Sequence, residues 1–434
     1  MPIPKKRGIF DLEGNHTTVR REIVAGITTF LTLAYILMVN PDILSNAGMP
    51  KEAVFTATAA AAALGTLVMA FAANLPIALA PGMGLNAFFA FSVVMGMGYS
   101  WQLALTAVFF EGLLFILLSF FNVREAIIEA IPHNLKKAVA VGIGLFIALI
   151  GFKNAGIVIG DPATLLALGD LTHGSGFLAL MGLIITSILY AWNVPGSILI
   201  GILVTTVIGI PLGLTNVHGF SSPLSLPAAP LFWAFDFSKI FTFQFFTVFF
   251  TFFFLDIFDT VGTLVGVVTQ AGLIGKNGEV PRVKQALLAD AIGTVVGAAL
   301  GTSTVTSYVE STAGVAAGGR TGLTALTTAV LFLIALFFSP LFLIIPSAAT
   351  APALIIVGFL MIRGVGGINF TDPIEGIPAF FAIVMMPFAY SISEGIVYGL
   401  LSYVLLKAAT RKFKDISPIA WLLFVLFILR FFIE

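Results

Sequence analysis

Residues Gly301 to Arg320 read GTSTVTSYVESTAGVAAGGR. Strongly apolar segments flank this stretch on both sides, yet it is dense in Thr, Ser and Gly and carries a carboxylate, Glu310. Small and hydroxyl side chains let a backbone leave the helix inside a membrane, because they satisfy the groups it frees. A carboxylate at the bilayer centre costs about 2.5–3.5 kcal/mol on insertion scales, and a chain tolerates it where it faces a cavity or a ligand. Close helix packing alone explains the small residues but not Glu310. The stretch therefore predicts a broken membrane span with a polar site.

Composition supports that setting. Of 434 residues, 59% are hydrophobic and only 10% charged, against about 25% charged in a soluble domain. The chain reads as an all-α polytopic membrane protein. It has 21 basic and 21 acidic residues, so nothing points to nucleic acid. With no cysteine, thiolate metal sites and Cys nucleophiles are excluded. The four histidines, at 16, 133, 173 and 218, show no metal-ligand spacing, so neither metal nor cofactor is expected. The first 21 residues are too polar for a cleaved signal peptide and read as a cytoplasmic tail.

Apolar windows long enough to span fall near 22–41, 52–73, 77–97, 101–121, 134–152, 176–192 and 195–213, and again near 243–266, 284–300, 303–319, 321–339, 347–363, 376–392 and 394–409. Seven and seven make fourteen spans, separated by a Pro- and Ser-rich loop at 214–242. With the N-terminus inside, Arg124, Lys136, Lys137, Lys276, Arg282, Lys284, Arg320, Arg363, Lys407, Arg411, Lys412 and Lys414 fall in inside loops. The outside loops hold chiefly Lys51, Lys153 and Lys239, as the positive-inside rule asks. The last apolar run, within 412–434, fits an interfacial helix better than a fifteenth span.

An internal repeat is visible. Leu64-Gly65-Thr66-Leu67-Val68 matches Ile292-Gly293-Thr294-Val295-Val296 at an offset of 228, which sets Pro81-Gly82 against Val309-Glu310. Gly156 with Asp161-Pro162 similarly matches Gly367 with Asp372-Pro373. A seven-span unit must enter its second copy inverted, and inverted repeats with interrupted spans in corresponding places point to a transporter's midplane site. The expected units are 22–213 and 243–411.

Three acidic residues lie inside second-half spans besides Asp256: Asp259 in FFFLDIFDTVGTLVG, Asp290 in ALLADAIGTVVG, and Glu310. Asp256 and Asp259, three apart, share a helix face. The first half supplies uncharged polar groups: Thr28, Thr29, Thr32 and Tyr35 in GITTFLTLAY, and Asn86 before Phe88 and Phe89. Glu111 is also acidic and within a span, with no partner evident. Carboxylates accept N–H bonds, aromatics stack on planar rings, and broken helix ends offer backbone groups. The set suits a small, polar, planar solute, with proton or sodium coupling.

At this point AGITTFLTLAYILMVNP (25–41), APGMGLNAFFAF (80–91), FDTVGTLVG (258–266) and TSYVESTAG followed by GGRTGLT resemble the nucleobase–cation symporters, in the AzgA-like branch of hypoxanthine, adenine and guanine permeases. The resemblance covers nearly the whole chain. It implies fourteen spans in two inverted repeats, with short strands in spans three and ten. It also implies a core domain (22–121 plus 243–339) and a gate domain (134–213 plus 347–409). On that likeness Glu310, Asp259, Thr29, Asn86, Phe88, Tyr308 and Thr263 bind substrate, while Asp259, Asp290 and Glu310 handle the proton. Thr29 stands where xanthine permeases carry a His. Thr312-Ala313-Gly314 and Gly319-Arg320 keep the Gly and Arg of the family signature and lose its Asn and Thr.

The expectation is a permease importing purine nucleobases by proton symport, sodium being the lesser option, with an elevator-like movement in the cell membrane. Which purine is preferred stays open, as does a homodimer. An anion transporter or channel of the same fold would want a positive site, not inward-pointing acids. A membrane-embedded enzyme would want HExxH, GxSxG or a comparable signature, and none is present.

Overall fold

The structure, a computed structural model, describes residues 9–121, 133–217, 222–271, 273 and 282–433; the side chains of some helical positions, Asp259 among them, lie outside that description. In the first half, Thr18 caps α1 (Val19–Leu33) by accepting the N–H of Arg21. The chain turns at Ala34 and Tyr35 and resumes as α2 (Ile36–Ser45). Helix α3 (Lys51–Val68) runs on through a wide-turn segment, Met69–Ala73, and stops at Asn74 in the left-handed conformation, which Asn adopts at little cost. Then come β1 (Leu79–Pro81), α4 (Met83–Ala87) with its wide-turn extension Phe88–Gly96, and α5 (Trp101–Phe121). Helix α6 (His133–Asn154) leads into the hairpin β2 (Val158–Asp161) and β3 (Leu165–Leu168), then α7 (Gly174–Ala191) and α8 (Ser197–Gly209).

The second half repeats the opening pattern. Helices α9 (Phe243–Gln270) and α10 (Val283–Leu300) precede β4 (Val305–Ser307), the short α11 (Ser311–Ala316) and α12 (Gly322–Ala335). After them run α13 (Ser339–Leu343), α14 (Ser347–Ile362), α15 (Pro373–Phe388), α16 (Ile392–Ala409) and α17 (Pro418–Ile433). Among the described residues nine helices are long and apolar enough to cross a membrane, and shorter apolar helices such as Ser197–Gly209 and Pro373–Phe388 accompany them. Large apolar side chains such as Phe71, Leu117, Val207 and Phe380 are more than half exposed, as a lipid-facing surface requires. The molecule is a helical, polytopic membrane protein.

The two halves meet at the matched Gly-Thr pairs. Helices α3 and α10 approach at Gly65 and Gly293, where a Cβ on either would sit 3.4 Å from the other's Cα. Thr66 Oγ1 accepts the Leu79 N–H (2.9 Å) and donates to the Leu79 carbonyl (3.1 Å). Thr294 Oγ1 does the same for Val305, at 3.2 and 2.9 Å. Each threonine thus fixes the first residue of its strand, and β1 and β4 pair antiparallel, Leu79 with Ser307 and Pro81 with Val305. The spacing between the Gly-Thr pairs is the 228 of the sequence match, but Leu79 and Val305 open their strands 226 apart. The second sequence match does not extend to structure. Asp161 sits at a hairpin tip, accepting the N–H groups of Ala163 and Thr164, whereas Asp372 caps α15.

Small residues govern the other close approaches. A Cβ on Gly144 of α6 would come within 2.8 Å of the Gly358 carbonyl of α14, and one on Gly151 within 3.0 Å of the Ala351 carbonyl. Without a hydrophobic drive between helices in lipid, such close backbone contact is what holds them.

Candidate functional site

Strands of three residues leave the backbone to be satisfied mostly end to end. The Gly82 N–H donates to the Thr304 carbonyl (2.9 Å), the Tyr308 N–H to that of Ala78 (3.0 Å), and the Ala78 N–H to Ser311 Oγ (3.0 Å). The strand pair therefore holds the starts of α4 and α11 beside each other. Glu310 is the residue immediately before α11.

A cavity of about 1290 Å³, open on one side, runs against this junction. Its floor includes Glu310, Thr312, Thr28, Thr32, Gly84 and Thr263. Its far wall comes from the N-terminal part of α6 and the C-terminal part of α14, through Ala140, Ile143, Val357 and Met361. Lys136, Lys137 and Arg363 stand at the mouth. The volume exceeds the roughly 300–1,000 Å³ of an enclosed ligand pocket, so the space is a vestibule, with Glu310 at its inner end.

At that end, Tyr35 donates its hydroxyl to Glu310 Oε1 at 2.6 Å, and Thr32 Oγ1 lies 3.4 Å from the Glu310 carbonyl. Tyr35 occupies the break between α1 and α2 and is itself fully buried. Among the described residues no Lys or Arg pairs with Glu310. Thr28 and Thr32 spend their hydroxyl protons on their own helix, to the carbonyls of Val24 (2.9 Å) and Thr29 (2.9 Å). Both consequently offer the cavity lone pairs, and with the Glu310 carboxylate the floor is rich in acceptors. Such a floor suits a ligand with N–H donors.

Of the residues expected at the site, Glu310 and Thr263 line the cavity. Thr29 turns towards α11, where a Cβ on Gly314 would overlap its Oγ1. Asn86 is buried behind the floor, accepting from Ser303 and donating to the Pro81 carbonyl at 3.4 Å. Phe88 is buried edge-on against Phe252, ring centroids 4.8 Å apart. The Tyr308 hydroxyl reaches back to the Pro81 carbonyl, and its ring is 6% exposed. The side chain of Asp259 falls outside the described residues, although its helix is α9.

Asp290 lies behind β4. Its carboxylate takes the Ser307 N–H (3.1 Å) and stands 3.0 Å from Thr260 Oγ1, which is also 3.1 Å from Asp256 and 2.8 Å from Thr306 Oγ1. Glu111, whose partner the sequence does not reveal, receives a hydrogen bond from Thr304 (2.8 Å) and touches Asp256. So the hydroxyl-rich run Thr302 to Ser307 serves two ends: on one side it binds Glu111 and Asp290 directly and reaches Asp256 through Thr260, and on the other it shapes the site. Sequence reasoning also left Glu22 aside. Its carboxylate is buried and accepts from the backbone N–H groups of Arg320, Thr321 and Thr324 and from two threonine hydroxyls (2.8 and 2.6 Å), capping α12.

A transporter architecture with one acidic, cavity-lining half-helix is the class that this geometry defines. The family model Xan_ur_permease, described as Permease family, matches residues 20–398. A putative permease of Methanocaldococcus jannaschii is 50% identical over 97% of both chains. The guanine/hypoxanthine permease PbuO of Bacillus subtilis is 47% identical over 98% of this chain and 100% of its own length, and the adenine permease AdeP of Escherichia coli 45% over 97% and 95%. The chain belongs to the xanthine/uracil permease family; it is a nucleobase-branch permease by sequence and not an enzyme. Its fold is shared with the transmembrane domain of a cyanobacterial bicarbonate transporter, BicA (TM-score 0.63, 18% identity, 88% of this chain and 97% of that one). It is shared too with the murine Slc26a9 anion transporter (TM-score 0.65, 12% identity, 90% and 68%).

Proposed function

We propose that the chain is a secondary active transporter that imports purine nucleobases across the cell membrane, N-terminus inside, coupled to protons. The carrying observation is Glu310: a carboxylate on a cavity floor, oriented by Tyr35, without a cationic partner among the described residues. A purine offers N–H donors on a flat ring, matching the acceptor-rich floor, and two of the named relatives are an adenine and a guanine/hypoxanthine permease. An anion would meet a carboxylate there, which weighs against carriage like that of the fold neighbours.

In this reading Glu310 and Thr263 touch substrate, with Thr28, Thr32 and Gly84 beside them. Thr29, Asn86, Phe88 and Tyr308 form the layer that holds the floor in shape. Asp259 and Asp290 supply the proton path. The fourteen spans, two inverted seven-span repeats and the core and gate division follow the family pattern. The cavity lies between the elements assigned to each, and the core moves past the gate as an elevator. With Lys136, Lys137 and Arg363 at its mouth, the cavity faces the cytoplasm.

The test is equilibrium binding of radiolabelled hypoxanthine to purified Glu310→Gln. Loss of a charge-assisted hydrogen bond, about 1.5–3 kcal/mol, lowers affinity roughly tenfold to a hundredfold. Unchanged affinity in a folded mutant overturns the assignment.

A further inference from the structure

The cavity occupies one half of the molecule's depth. On α6 its lining stops at Ile143, on α14 it begins at Val357, and on α1 it ends at Thr32. Asp42 on α2 lies ten residues past Thr32, beyond the turn at Ala34 and Tyr35. Ser347 lies as far from Val357 in the same direction. There Asp42 Oδ1 accepts from Ser347 Oγ at 2.7 Å and Oδ2 from Thr350 Oγ1 at 3.0 Å, while Lys51 Nζ stands 2.6 Å from Oδ1. Asp42 is 7% exposed. Its carboxylate thus sits on the first turn of α14, where a helix favours negative charge.

We propose that Asp42, with Ser347 and Thr350, is the latch that closes the face opposite the cavity mouth. This rests on the alternating-access reading above. Helix α2 belongs to the part that carries the Tyr35–Glu310 pair, and α14 forms the opposing wall. Separating α2 from α14 at the far face parts these three side chains. Between latch and cavity, Leu37, Ile147, Ala353 and Leu354 are buried in one apolar cluster and keep the layer dry. The contact is polar and directional, so it switches between made and broken, whereas apolar layers slide. Lys51, 44% exposed at its side chain, neutralises the carboxylate while leaving a solvated arm that keeps the charge compensated after the latch parts.

The chain has no cysteine, so single cysteines report accessibility without background. Ala140→Cys in the cavity wall and Ala353→Cys beneath the latch serve as two reporters in substrate-free proteoliposomes. Each is treated with a membrane-impermeant maleimide from either face. Adding Asp42→Asn should raise the labelling rate of Ala353→Cys from the Lys51 face roughly tenfold, the share of one charge-assisted contact, and slow that of Ala140→Cys from the mouth. Thr350→Val, which removes a single donor, should shift both in the same directions by a smaller factor and guards against misfolding of the first variant. Labelling patterns that stay at parent values in folded Asp42→Asn and Thr350→Val overturn the latch. Because no purine is present, the result is independent of whether purine is the cargo.

Discussion

Glu310 is oriented by a phenol, beside a hydrogen bond from its own backbone N–H. Tyr35 can donate only once, and it spends that proton on Oε1. Tyr35→Phe keeps the ring and removes the donor. Purine affinity should then fall by about tenfold, the lower end for a bond to a charged group, while the melting temperature stays near that of the parent. A titration of the purified variant against hypoxanthine checks this, and an unaltered dissociation constant means that Glu310 needs no such support. Gly314 follows the same logic of side-chain room: any Cβ there collides with Thr29. This is why Thr29, between the cavity residues Thr28 and Thr32 in sequence, is occupied in holding α1 against α11.

At the scale of the element, helix starts in this chain are closed by carboxylates from far away. Glu22 caps α12 across some three hundred residues of sequence, and Asp42 binds the side-chain hydroxyls of Ser347 and Thr350 on the first turn of α14. Glu22→Gln exchanges a charged acceptor for an amide that must also place two N–H donors in a buried pocket. It should destabilise the protein by about 2 kcal/mol, read as a lowered melting temperature in detergent with purine affinity largely retained. A melting point equal to the parent's removes Glu22 from the account of α12. These caps also explain what was legible in advance. The broken spans were, because Pro81-Gly82 and the run from Gly301 to Gly319 signal departure from the helix by composition alone. The strand pair entered only through family resemblance, since three residues carry no periodicity. The partners of Glu111, Glu22 and Asp42 were not legible, because a long-range hydrogen bond leaves no mark on local sequence. The Asp-Pro match misled for a related reason: that dipeptide favours both turns and helix starts, and here Asp161 makes one and Asp372 the other.

For the whole molecule, the decisive quantity is what energises accumulation. Like charges in a dry site push one proton affinity upward, and a base bound to such acids biases where the proton rests. In the proton-coupled reading, Asp259→Asn abolishes accumulation driven by an imposed pH gradient while exchange of labelled for unlabelled purine survives. Asp290→Asn, which disturbs the Ser307 N–H acceptor on β4, should reduce both. Gradient-driven accumulation that persists in Asp259→Asn moves the proton to another acid. The two Gly-Thr units and their strands place the halves in near register, and that register has a further consequence. Counted from the strand starts, Gly84 is the counterpart of Glu310; counted from the half-helix starts, Gly82 is. Either way the first half presents a bare backbone where the second presents an acid, and a Cβ on Gly84 would press on Ile143 at 2.8 Å. The near-symmetric frame therefore carries one carboxylate seat instead of two, and on the proposed function each chain should saturate with a single purine, which equilibrium binding to purified protein checks.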